Sequence, residues 1–243
     1  MIRSEYLLGL PYNFRNLCHI YPPLVKEVIE SDDYSKYETA LTITQQQIED
    51  EFINESPEMT AMTPFQYLML NSMMSEEFLK VVSDSFKFFI HEDVAILPDL
   101  EVVLIGKLEE DIDPEVDLEE PRVINEENFF DFQNEIRLSL GRNKEEPIDE
   151  DEDPRVKRIK AKARYRDRLK AKRQSSPTLG TYLTAICCMG IGLNPLNIGE
   201  ITFAAANYLI DMYRQKEGYD IDIRSIMAGA KDVKLKYWIR NLK

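Results

Sequence analysis

The chain has 243 residues, 44% of them aliphatic or aromatic, which is enough apolar surface for one large or two modest cores and too much for a disordered chain. Its formal net charge of −14 argues against general attraction to nucleic acid or anionic membranes, and no run of apolar residues reaches the length of a membrane span. Three cysteines, two of them adjacent at Cys187 and Cys188, suit reduced thiols better than a secreted disulfide framework, and with no export signal evident the expectation is a soluble cytoplasmic product.

In chain order, an extended opening leads to Pro22-Pro23, which starts a helix carrying Leu24, Val25, Val28 and Ile29 at helical spacing. Residues 34–54 predict a helix in two pieces, interrupted by the β-branched Thr42-Ile43-Thr44. Thr63-Pro64 and Ser75 predict two further helix starts. The stripe Phe78, Leu79, Val82, Phe86, Phe89, Ile90 marks the second helix as the N-terminal core. The period then changes. Val94 and Ile96, then Glu101-Val-Val-Leu-Ile-Gly, and later Arg122-Val-Ile read as short strands set among Pro98, Gly106, Pro114 and Pro121. Asn125 caps a helix with Phe129, Phe132, Ile136 and Leu140 on one face, and Gly141 stops it.

A charge reversal follows. Residues 145–153 hold seven acids in nine positions, and residues 155–173 hold eleven Lys or Arg against the single acid Asp167. Removing this net +10 block leaves the remainder at about −24. Beyond it, Ser176-Pro177 predicts a helix with Leu179, Leu183, Ile186 and Cys187 on one side. Asn194 to Asn197 form a turn, and residues 198–217 read as a long helix ended by Gly218. A last short helix is capped by Asp220 or Asp222, and a basic tail holds Trp238, the only tryptophan.

The basic block is the sharpest candidate for function. It reads as a polar helix that bridges two parts and docks a protein, its charge answered by the acidic run or the acidic body. Nucleic-acid binding is the alternative, although only Tyr165 interrupts the charges with an aromatic and nothing supplies base readout. The acidic run 149–153 lacks the spacing and turn glycine of a cation loop and reads as solvated. His19, His91 and Cys18 are too few for a zinc site. Cys187-Cys188 read as core, as do most of the methionines at 59, 62, 69, 73 and 74, which otherwise make an adaptable apolar patch. No nucleophile elbow, P-loop or dinucleotide fingerprint is present, so neither an enzyme nor a cofactor is expected.

Three stretches carry a resemblance: Asp153-Pro-Arg-Val running into the Lys/Arg helix, Gly192-Leu-Asn-Pro-Leu-Asn-Ile before a long helix, and the closing Lys236-Tyr-Trp-Ile-Arg-Asn-Leu. Over its last hundred residues the chain resembles tail assembly chaperones and related morphogenesis proteins of tailed phages of Gram-positive bacteria. The resemblance implies a helical, non-enzymatic protein that binds a tape measure or baseplate component in the host cytoplasm, and leaves open whether it binds a second copy of itself or stays in the virion. It carries over no site residues.

The expected fold is mainly α: residues 1–142 as a helical domain with a small β element, 143–176 as an acidic-then-basic connector helix, and 177–243 as a compact helical domain. The expected partner-binding residues are Arg155, Lys157, Arg158, Lys162, Arg164, Arg166, Arg168, Lys170, Tyr237 and Trp238, with no membrane partner.

Overall fold

A computed structural model describes residues 3–52, 62–106, 122–145 and 178–231, with residues 155, 156, 159, 160, 162–164, 166, 233 and 235. The protein is mainly helical, with small antiparallel sheets in the N-terminal region. After the short α1 (Ser4–Leu7) comes a hairpin of β1 (Tyr12–Phe14) and β2 (Cys18–Ile20), in place of the extended opening that the sequence suggests. Its turn places Arg15 and Asn16 at φ 51° and 58°, so it closes without the glycine that marks such turns in a sequence. The two prolines precede α2 (Val25–Glu30), whose first free amide is met by Glu27 reaching back to the Leu24 N–H at 2.7 Å. The predicted two-piece helix appears as α3 (Tyr34–Thr42) and α4 (Gln45–Phe52), with the break at Ile43.

Two capped helices build the centre of the core. In α5 (Pro64–Met74) Thr63 Oγ1 accepts from the Gln66 N–H and Gln66 Oε1 accepts from the Thr63 N–H, a reciprocal cap that satisfies two otherwise free donors. In α6 (Glu76–Ile90) Ser75 Oγ accepts from the Phe78 N–H. The apolar face of α6 meets α7 (Glu126–Ser139) through Phe86 and Phe132, stacked at 5.3 Å, while Phe14 of the hairpin meets Phe132 edge-on at 5.6 Å. Between these helices, β3 (Val94–Leu97), β4 (Val102–Ile105) and β5 (Val123–Ile124) pair in that order, Val94 opposite Ile105 and Val103 opposite Ile124. Val103, Ile105 and Ile124 thereby point into the main cluster.

The C-terminal helices depart from the sequence reading at three points. First, α8 (Leu179–Cys188) is capped by Thr178, whose Oγ1 accepts from the Thr181 N–H; Ser176 and Pro177 lie outside the described residues. Second, residues Ile198–Glu200 form a single 3-10 turn rather than the start of a long helix, because Thr202 supplies the cap and α9 begins at Phe203. Third, α9 (Phe203–Met227) runs straight through Gly218, so no separate last helix exists there. A glycine in mid-helix lowers stability without ending the helix. Since a Cβ at Gly218 would meet nothing within 4 Å, Gly218→Ala is expected to stabilise the protein by about 0.5–1 kcal/mol, read as a higher urea midpoint at unchanged slope.

The α2 region and the start of α9 share their packing. The backbones of Leu24 and Thr202 form an antiparallel bridge, in which the Val25 N–H donates to Ile201 O at 2.9 Å and the Phe203 N–H to Pro23 O at 2.8 Å. Ala204 of α9 belongs to the main cluster, and Val25 of α2 belongs to the second cluster with Leu183, Ile186 and Ile198.

Candidate partner-binding surface and an arginine-lined cavity

The connector is helical at every described position from 155 to 166. Arg155, Ile159, Lys162 and Arg166 follow the spacing i, i+4, i+7, i+11, which places them on one helical face, and all four are exposed, Ile159 at 69%. Arg164 lies half a turn away and is partly buried. Its guanidinium reaches Asp50 of α4 at 3.4 Å, and that carboxylate is buried. The connector thus presents one basic face outward and turns one arginine onto the acidic body. The remaining expected partner-binding residues, Lys157, Arg158, Arg168, Lys170, Tyr237 and Trp238, lie outside the described residues.

A second feature lies at the seam of α7, α8 and α9, where a cavity of about 650 Å³ opens. Leu179, Leu183, Ile186, Phe203, Ala206 and Ile210 make its apolar wall. Arg137, Arg142, Asn143, Asn207, Asp211 and Arg214 make the polar one. The sequence sets this up because Gly141, at φ +72°, turns the chain sharply after α7 and brings Arg142 back over the last helical turn, where its N–H donates to Arg137 O at 2.8 Å. Arg142 is held by Glu38. Arg137 donates from Nε to Asn143 O at 3.1 Å and from Nη1 to Thr42 O at 3.3 Å. Arg214 lies over the Tyr182 ring at 5.7 Å and beside Asp211 at 3.7 Å.

The electrostatics here are uneven. Burial pushes the Arg137 guanidinium below its ordinary value; Glu145 and Glu38 oppose that shift and the neighbouring Arg142 adds to it. Burial likewise pushes the Glu145 carboxyl up to about 7, against the pull of Arg137, and its buried Oε2 has no hydrogen-bond partner. By contrast, Glu135 on the same helix is fully engaged, accepting from Arg3 Nε and Nη2 at 2.7 Å each and from Tyr6 Oη at 3.3 Å, with Lys144 at 3.4 Å.

The other sequence candidates separate. Cys18 is buried in the main cluster, and burial first, then the charge of Glu92, lifts its thiol to about 12. Cys187 packs in the second cluster, but Cys188 is exposed, contrary to the reading of both as core, because α8 turns that position away from α9. Met69 is buried, whereas Met73 and Met74 are exposed at 58% and 77% at the end of α5. No group of His, Cys, Asp and Glu among the described residues could hold a metal ion. No described helix is long and apolar enough to cross a membrane. The cavity arginines carry no sequence signal of their own, since Arg137, Arg142 and Arg214 are scattered single residues; the one local signal is Gly141. Neither a protein-family model nor a curated protein nor a solved structure matches this chain.

Proposed function

We propose that the protein is a non-enzymatic assembly protein that binds another protein through the outward face of its connector. Carrying this reading is the exposed stripe Arg155, Ile159, Lys162, Arg166, which sets three cations around an aliphatic side chain on an otherwise acidic molecule. Such a face suits an acidic partner segment with an apolar anchor, and the −24 of the remaining chain steers that segment to the connector and away from the body. In the setting that the tail-chaperone resemblance implies, the partner is a tape measure or baseplate component met in the host cytoplasm.

The test leaves Arg164 alone, because it serves the internal pair with Asp50. Intact protein carrying Lys162→Glu and Arg166→Glu is compared with the unaltered chain for co-purification with the products of neighbouring genes, and circular dichroism checks that the helices are retained. The expected result is one stoichiometric partner that the double reversal releases. Equal recovery by both proteins would sink the reading. Anisotropy of DNA and RNA oligomers over a salt series runs alongside, and tight binding that falls steeply with salt and vanishes in the double reversal would replace the protein partner by nucleic acid.

A further inference from the structure

We propose that the cavity between α7, α8 and α9 binds a small organic monoanion, an apolar body ending in a carboxylate. Its volume, about 650 Å³, is that of a site for a molecule of modest size, and an apolar wall facing a few convergent polar groups is the usual composition of such sites. Head-group chemistry follows from Arg137. Two of its five N–H donors go to backbone carbonyls, and among the described residues no carboxylate is in ion-pair contact with it.

A partly desolvated guanidinium beside a second arginine favours an arriving anion, and a carboxylate matches its planar fork with two parallel hydrogen bonds. The charges around it limit that anion to a single negative charge. Among the described residues, Arg137, Arg142 and Arg214 line the cavity with Asp211 as the one carboxylate; Glu38 holds Arg142 from α3, and burial of Glu145 favours its neutral form. A dianionic phosphate would meet Asp211 and Glu38 with too little positive charge to answer both of its own. The tail of the ligand runs along Leu183, Ile186, Phe203 and Ile210, where burying each methylene contributes about 0.8 kcal/mol.

Displacement of 8-anilinonaphthalene-1-sulfonate from the intact protein tests this, with decanoate as the probe and decanol as its neutral counterpart. Decanoate is expected to displace the dye at one equivalent, and at least about tenfold more tightly than decanol. Arg137→Gln is expected to remove that difference while leaving decanol unchanged, and Ile210→Trp, which fills the apolar wall, to weaken both. Should Arg137→Gln fail to fold, Arg214→Gln at the exposed rim serves instead, with a smaller loss confined to decanoate. Equal displacement by decanol, no displacement by decanoate, or arginine variants that bind decanoate as the unaltered protein does would each overturn the site. The connector reversal Lys162→Glu with Arg166→Glu leaves decanoate binding intact, so failure here and failure of the assembly role are read separately.

Discussion

Glu135→Ala is expected to cost about 1–3 kcal/mol of folding stability, because it leaves the buried Tyr6 hydroxyl without its acceptor and the half-buried Arg3 without its partner. The Glu135 side chain is 6% exposed and takes both Arg3 donors, the Tyr6 hydroxyl and a long contact from Lys144. Without it, the phenol keeps its desolvation cost and loses its acceptor, while the guanidinium turns in part to water. Glu135→Gln should cost less, since the amide oxygen still accepts. Acid dependence separates charge from shape. Burial alone would raise the Glu135 carboxyl, but the Arg3 hydrogen bond and charge, joined by Lys144, outweigh it and hold it below its ordinary value. A depressed folded-state pKa gives stability that is present above the unfolded value of about 4.3 and lost as pH falls through the folded one. Urea titrations at successive pH values should therefore show a steeper acid loss in the unaltered protein than in Glu135→Gln; matching slopes would contradict the pair's role.

Gly141→Ala is the second large effect. The residue sits at φ +72°, where a side chain is strained, and an added Cβ would lie 2.9 Å from Ala204 O and 3.0 Å from Ala204 Cα, both backbone atoms of α9. Strain and overpacking each cost about 1–3 kcal/mol, and relief comes only by moving α9 away from the end of α7. That movement breaks the 2.8 Å hydrogen bond from Asn207 Nδ2 to Leu140 O and lifts Ala204 from the main cluster. Hydrogen exchange should accelerate through the first turns of α9 while α6 keeps its protection, because the Phe86–Phe132 stack does not depend on Gly141. Unchanged exchange in α9 would mean that the turn is not what fastens it.

Local chemistry explains which parts of this fold were legible. Thr63-Pro64 and Ser75 mark two helix starts because capping is decided by residues within one turn, and the strands of the three-stranded sheet stand out as short apolar runs rich in β-branched residues set among prolines. The first hairpin was hidden, since three-residue strands give almost no alternation and its turn uses Arg15 and Asn16. The start of α9 differs because the Asn194–Asn197 turn offers an earlier beginning in the sequence, while the deciding cap is Thr202. Gly218 was read as a stop because glycine often ends helices, yet with neither a left-handed φ nor a neighbour it merely weakens one. The connector's charge was plain, but which arginine turns inward depends on where α4 lies, and Asp50 is far from Arg164 in sequence. The cavity was illegible for the same reason. Its arginines meet only after α7 and α9 pack.

The bridge between Leu24 and Thr202 bears on how the chain is made. During synthesis, α2 and most of the main cluster emerge early, yet Leu183, Ile186 and Ile198, with which Val25 clusters, follow much later, and the main cluster lacks Ala204 until later still. A nascent chain therefore carries an open apolar edge along Pro23 to Val25 until residues 183–204 have been made, at about 5–20 residues per second. The cell's exposure to that unfinished surface is set by elongation speed between α2 and α9, so slow codons there would favour clumping on the ribosome before the seam can close.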